Sequence, residues 1–338
     1  MLRDFYRLVA IDYLSIKNVF SLCRVNRELY DTFASDNFWL ALWQRDYSSI
    51  VCNNPKEKYK TAYLGLRTAK FSEMYAARYG LEKKMTYYES LFTPLQILHA
   101  ASKGGNWHII EPILNKYKDE YACSRVMIDA ARGGHETIVE KMISLGAKEF
   151  DCTMEKAAKG GHIQLVNRML ALGADDYNRG LLAAASGGHL EILEQMIALG
   201  SRIYQSAMEK AAYKGHINII EALLKYGAKN YERCLVSAAE NGQLKVANLM
   251  INLGAKKYND ALVAAGKSGN LLLINRLLEL GANHYTATLE EASASGHIYI
   301  VRRMLDFSVK KTQALKLARM NGHMDSIEII KKHRKRKI

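Results

Sequence analysis

Proline is almost absent: Pro55, Pro94 and Pro112 are the three in 338 residues, so little interrupts helix formation. The five cysteines, Cys23, Cys52, Cys123, Cys152 and Cys234, are odd in number and scattered, and no two have metal-ligand or redox spacing. They read as thiols of a reducing compartment. No stretch is apolar for long enough to span a bilayer, and Arg3, Asp4, Arg7 and Asp12 break up any apolar core of a signal peptide. The catalytic signatures H-E-x-x-H, C-x-x-C and G-x-S-x-G do not occur. Gly266-Lys267-Ser268 has the form of the end of a phosphate-binding loop, but the motif's first glycine would fall on Ala261, and no strand precedes it. Neither an enzyme nor a cofactor or metal site is expected.

What the chain does have is a period. From Leu95 onwards a unit of 27 residues recurs, best seen in MEKAAYKGHINIIEALLKYGAKNY from Met208. Units begin at Leu95, Ser124, Asp151, Asn178, Gln205, Glu232, Asn259, Thr286 and Gln313. Ala122 and Cys123 form an insertion between units one and two, and the last unit is one residue short. A fixed period of this size signals a stacked solenoid. Each unit reads as two short helices. Positions 4, 7 and 8 of the first (Met154, Ala157 and Ala158 in unit three) lie on one face. A glycine at position 11 suits the positive-φ break between helices. Positions 13, 15, 16, 19, 20 and 22 of the second, for example Ile217 through Tyr226, form a stripe wide enough to be buried between neighbours. A second glycine at position 23 ends it, and an aromatic closes most units.

The motif A-A-x-x-G-H, an apolar helix and then G-A resembles the ankyrin repeat. That family's unit runs to about 33 residues. The shortfall here lies between Gly-Ala and the next first helix, where the family's β-turn finger would be. Stacked helix pairs joined by simple turns are therefore expected over residues 95–330.

Residues 1–48 are not repeats. Ser15 can cap a helix carrying Val19, Phe20, Leu22, Cys23 and Val25, and Ser35-Asp36-Asn37 can cap another holding Phe38, Trp39, Leu42 and Trp43. Tyr13-Leu14-Ser15, V-F-S-L-C-R-V-N-R-E-L-Y from Val19, S-D-N-F-W from Ser35 and R-D-Y from Arg45 resemble an F-box, although the family's opening Leu-Pro has no counterpart. The resemblance implies docking on a Skp-type adaptor of a cullin ubiquitin ligase through Leu14, Val19, Leu22 and Val25. The alternative is that these residues simply form a helical core. Residues 49–94 read as a helical junction that caps the repeats, and residues 331–338 as a basic tail. The fold class is thus all-α: a small three-helix F-box-like unit followed by a solenoid of about nine short ankyrin-like repeats.

Six histidines follow the turn glycine, His135, His162, His189, His216, His297 and His323, where other units have Asn106, Gln243 or Asn270. Their alternation with amides points to a scaffold hydrogen bond rather than to a metal. With positions 4, 7 and 8 buried, positions 2, 5, 6 and 9 of the first helix face outward, and a groove is sought at 5, 6 and 9. They include Ile128 and Asp129, Ala183, and a candidate partner groove of Glu155, Lys156, Leu182, Glu209, Lys210, Tyr213, Val236, Glu240, Val263 and Lys267. Six of the +14 formal charges lie on Lys331, Lys332, Arg334, Lys335, Arg336 and Lys337.

The expected function is protein–protein interaction, with the repeats holding a protein target and the F-box-like unit recruiting a ubiquitin ligase. That pairing resembles proteins of large DNA viruses, where it diverts host ubiquitination. Two alternatives stand beside it. One is a scaffold or inhibitor with no ubiquitin link. The other is nuclear or nucleic-acid association through the tail, which lacks interleaved aromatics and fits an import signal equally well. A monomer with no membrane contact is expected, in the cytoplasm or, if the tail is an import signal, the nucleus.

Overall fold

A computed structural model of the chain describes residues 94–117 and 120–333. The F-box-like stretch with Leu14, Val19, Leu22 and Val25, the junction up to residue 93, and Arg334, Lys335, Arg336 and Lys337 of the tail lie outside the described residues.

Eighteen α-helices and no strand occur among the described residues. They come as nine pairs. The first unit of the chain, Met1–Lys148, contains α1 (Pro94–Gly104) with α2 (Trp107–Tyr117) and α3 (Glu120–Gly133) with α4 (Glu136–Ser144). The second, Glu149–Ile338, contains seven pairs. They are α5 (Phe150–Gly160) with α6 (Ile163–Ala171), α7 (Tyr177–Gly187) with α8 (Leu190–Ala198), and α9 (Tyr204–Lys214) with α10 (Ile217–Lys225). There follow α11 (Tyr231–Glu240) with α12 (Leu244–Asn252), α13 (Tyr258–Ser268) with α14 (Leu271–Glu279), α15 (Tyr285–Ser295) with α16 (Ile298–Leu305), and α17 (Thr312–Met320) with α18 (Met324–Lys332). Within that unit each first helix packs on its own partner and on the first helix of the next repeat. Second helices touch one another less.

The core follows the expected columns and adds one. Positions 4, 7 and 8 are buried in every repeat of the second unit up to α15, as in Leu235, Ala238 and Ala239. Position 3, which the periodicity does not single out, is buried as well: Thr153, Gly180, Ala207, Cys234, Ala261 and Thr288. At Gly180 the residue is small because the second helix of the same repeat, α8, presses on the first there. A Cβ on Gly180 would stand 2.5 Å from the Met196 sulfur. Burial pushes the Cys234 thiol up to about 12, so it stays protonated and serves as a small core residue.

Both turns of a repeat are Schellman turns. In the turn between the two helices, the His162 N–H donates to the Ala157 carbonyl at 3.0 Å after Gly161 (φ +84). In the turn that ends the repeat, the Ala174 N–H donates to the Met169 carbonyl at 3.0 Å after Gly173. The six-to-one bond satisfies a carbonyl left over at the helix end, and it requires a left-handed residue.

Three expectations need correction. The Ala122–Cys123 insertion is not a spacer between repeats: it lies inside α3, which has 14 residues where α5 has 11. The extra residues lengthen the helix by under one turn, which an α-helix accommodates without a break. The aromatics do not close repeats. Phe150, Tyr177, Tyr204, Tyr231, Tyr258 and Tyr285 are the first residues of first helices, and Tyr204 packs on Tyr226 of the same repeat with ring centroids 5.7 Å apart. Position 22 is the C-cap of the second helix and stays partly or largely exposed, as at Leu145, Leu199 and Tyr226.

Where a longer ankyrin unit has a finger, this one has a side chain. Asp151 Oδ1 accepts from the backbone N–H groups of Asp175 and Asp176, both at 2.9 Å. Glu232 does the same for Lys256 and for Lys257 (2.8 Å), and Asn259 for Asn283 at 2.6 Å. Position 1 of the first helix thereby ties down the turn that leaves the second, which lets the turn be short.

Candidate protein-binding face of the first helices

The candidate groove residues lie on five successive first helices of the second unit: α5 (Glu155, Lys156), α7 (Leu182), α9 (Glu209, Lys210, Tyr213), α11 (Val236, Glu240) and α13 (Val263, Lys267). Helical geometry puts positions 5, 6 and 9 beside one another on each helix, and the stacking of first helices lines them up from repeat to repeat. Lys210 and Lys267 are exposed and the other eight are half-buried. Leu182, Val236 and Val263 are therefore partly covered by neighbouring helices rather than standing free.

Charge on this face is organised across repeats. Glu240 and Lys267 pair at 2.7 Å between α11 and α13, and this contact holds the Lys267 pKa above the ordinary lysine value. Glu155 contacts Lys156 on its own helix (2.6 Å) and Arg179 of α7 (3.3 Å). Glu209 reaches Arg233 of α11 at 3.3 Å and the Ser237 hydroxyl at 3.4 Å. Arg179 and Arg233 both stand at position 2, which faces outward but lies outside the expected groove. Their signal is an arginine recurring two repeats apart, opposite a glutamate at position 5 of the preceding repeat. Lys210 has no ionic partner among the described residues. Exposed ion pairs of this kind add under about 1 kcal/mol each. Their effect is to leave a face of fixed, alternating charge interleaved with half-covered aliphatic groups and Tyr213.

Not every outward position is outward. Ala183 is buried because its methyl group is too small to emerge between neighbours. Ile128 and Asp129 are also buried. In the first unit, positions 5 and 6 form an internal polar cluster instead of a face. His99 Nδ1–H donates to Asp129 Oδ2 at 2.5 Å, and Lys103 Nζ donates to His99 Nε2 at 2.6 Å. A buried carboxylate needs such partners, so Asp129 is a structural group there.

The histidine row has a definite task. A ring nitrogen facing a carbonyl must donate to it. His216 Nε2–H donates to the Ser186 carbonyl (3.2 Å), His297 to Lys267 (2.9 Å) and His323 to Ala294 (3.0 Å), each one repeat back. His135 reaches Lys103 in the first unit (3.1 Å), and His189 bonds the Lys159 carbonyl. At the same position Asn270 donates to the Gly242 carbonyl at 2.8 Å. These side chains tie repeat to repeat through the backbone. No cluster of three or more metal-binding side chains occurs among the described residues. Of the tail, Lys331 is exposed on α18 and Lys332 pairs with Glu328.

Residues 153–234 and 181–261 match the family of ankyrin repeats (three copies). Ankyrin repeats, in a shortened form, therefore make up this part of the chain. Among solved structures, the ankyrin repeat domain of human ASB11 is similar at 20% identity, over 55% of this chain and 98% of that chain, with a TM-score of 0.38. No curated protein matches the chain. Ankyrin repeats bind protein targets, and no helix among the described residues is long and apolar enough to cross a membrane.

Proposed function

We propose that the protein is a substrate receptor: the first-helix face holds a protein target, and the F-box-like residues 1–48 present that target to a cullin ubiquitin ligase through a Skp-type adaptor. The observation that supports the target face is the continuity of Leu182, Tyr213, Val236 and Val263 across four neighbouring first helices, within a frame of cross-repeat ion pairs. Half-covered apolar groups and an aromatic interleaved with fixed charges offer both the contact area and the polar complementarity of a specific protein interface. Recruitment of the ligase is supported by the sequence resemblance over Leu14, Val19, Leu22 and Val25. On the sequence resemblance of the pairing to proteins of large DNA viruses, the target and the ligase would belong to a host cell.

Affinity capture from eukaryotic lysate tests both halves. Wild type is compared with Leu14→Ala/Leu22→Ala and with Leu182→Glu/Val236→Glu, each checked by circular dichroism for unchanged helix content. The first pair should lose adaptor and cullin but keep the target. The second should keep adaptor and cullin and lose the target by tenfold or more. Target retention without any adaptor in the wild type would leave a scaffold or inhibitor in place of a ligase receptor.

A further inference from the structure

The second helices carry a surface of their own. Position 14 is exposed in every repeat from α6 to α16. It is Gln164, Glu191, Asn218 and Lys245 in four successive repeats, then Leu272 and Tyr299 in the next two. The last two are each 69% exposed. No core contact requires the change from polar to apolar. Between α14 and α16, beside Tyr299, lies an open cleft of about 720 Å³, within the range of ligand-binding clefts. Tyr285 and Phe307 line it as a stacked pair with centroids 4.0 Å apart and planes 7° from parallel. Tyr299 stands at its rim.

The cleft is lined by two acids and two bases, Glu279, Asp306, Arg302 and Arg303, and both acids already have partners. Glu279 is paired with Arg276 at 3.4 Å, and Asp306 with Arg303 at 3.3 Å. Arg303 also lies over the Phe307 ring at 5.3 Å, which fixes its guanidinium against the aromatic floor. Arg302 is exposed and has no ionic or hydrogen-bond partner among the described residues. It lines this cleft and also a second one, between α16 and α18. Preceding repeats have Asn167, Glu194, Glu221, Asn248 and Asn275 at its position, so among these repeats a base occurs there only in the one that carries Tyr299.

We propose that the cleft between α14 and α16 binds an acidic peptide segment of a partner protein. An apolar or aromatic side chain of that segment rests on the Tyr285–Phe307 pair against Tyr299, and a neighbouring carboxylate pairs with Arg302. Guanidinium and carboxylate match in a two-pronged hydrogen-bonded geometry, and Tyr and Arg are the residue types that dominate interface energetics. The site lies on the second helices and does not depend on the target face of the first.

The test uses the full-length protein and fluorescein-labelled peptides of about ten residues, read by anisotropy. One alternates Asp with Phe and Leu, and the other has Lys in place of Asp. The acidic peptide should bind saturably, and the basic one at least tenfold more weakly. Arg302→Glu and Tyr299→Ala should each weaken binding at least tenfold, while Leu182→Glu/Val236→Glu should leave it unchanged. Both substituted side chains are exposed, so circular dichroism should not move. Absence of saturable binding, equal binding of the two peptides, or indifference to Arg302→Glu would overturn the proposal. So would sedimentation showing a dimer that Tyr299→Ala dissociates, since the occupant would then be a second copy of the chain.

Discussion

Gly188 and Gly227 have the same φ, +84, and the same six-to-one hydrogen bond follows each of them, at 3.1 Å in both. Gly188 sits between the two helices of a repeat and Gly227 at a repeat's end. Their surroundings differ completely. A Cβ on Gly188 would meet the His216 ring of the next repeat 2.7 Å away, whereas one on Gly227 would meet nothing within 4 Å. The first turn is where repeats are joined, and the second only reverses the chain. Identical backbone conformation therefore does not mean equal structural demand: Gly188 must be glycine for two reasons and Gly227 for one.

Substitution separates the two reasons. Gly227→Ala meets only the left-handed backbone, which costs about 1–2 kcal/mol for a residue with a Cβ. Gly188→Ala meets the same cost and also drives the His216 ring away from the Ser186 carbonyl, adding an overpacking penalty of about 1–3 kcal/mol. In thermal unfolding Gly188→Ala should be the more damaging of the two, by at least about 1 kcal/mol. Equal losses would mean that the ring yields freely and that the histidine tie contributes little.

The outer turn can be probed through its own tether. Asp151 accepts from two backbone N–H groups of the turn after α6, and hydrogen bonds to a charged acceptor are worth about 1.5–3 kcal/mol when shielded, less at this partly exposed site. Asp151→Ala should destabilise by about 1–2 kcal/mol and raise amide exchange at Asp175 and Asp176 before it does so at Gly161. Asp151→Asn should recover part of the loss, because Asn259 already plays this part in another repeat. Loss of protection at the inner turn first would contradict the separation of the two turns.

How much of this could be read from the sequence follows from what a period reveals. A strict 27-residue repeat fixes which positions are equivalent, so the core columns at positions 4, 7 and 8, both glycine turns and the scaffold task of the histidines were legible. The period does not reveal what an equivalent position touches in the next repeat. Position 3 is not conspicuous because Thr153, Gly180, Ala207, Cys234 and Thr288 share smallness rather than hydrophobicity. The position-1 tethers are hidden because Asp151, Glu232 and Asn259 look like ordinary polar helix starts until the turn 24 residues later is brought against them. Of the outward positions on the five central helices, Lys210 and Lys267 are exposed, the other eight groove residues are half-buried and Ala183 is buried. The expected outward face failed at Asp129, where the partner His99 comes from a repeat that departs from the consensus. Leu272 and Tyr299 sit inside apolar second helices, where two more apolar residues do not stand out in sequence.

The smallest expected effect sharpens the comparison by acidity. Only the inner turn carries a titratable ring, since the corresponding residue of the outer turn is alanine in most repeats. Burial is the largest cause holding the His189 pKa below its ordinary value, and the neighbouring His162 and His216 lower it further, against the opposing hydrogen bond to Lys159. A folded-state pKa below the unfolded one means that the unfolded chain takes up the proton first. Stability is then fully retained above the unfolded pKa of about 6.5, and it is lost as pH falls from there through the folded value. His189→Asn removes this response without removing the tie, because Asn270 at the same position in another repeat donates to the Gly242 carbonyl. Melting temperatures between about pH 8 and pH 5, a window that brackets the unfolded pKa, should fall less steeply for His189→Asn than for the wild type, and the two should converge at the alkaline end apart from a constant offset. A steeper fall in the variant would reverse the sign and mean that protonation of His189 favours the folded state. An equal fall would mean that the inner turn's joint is insensitive to the charge of its ring.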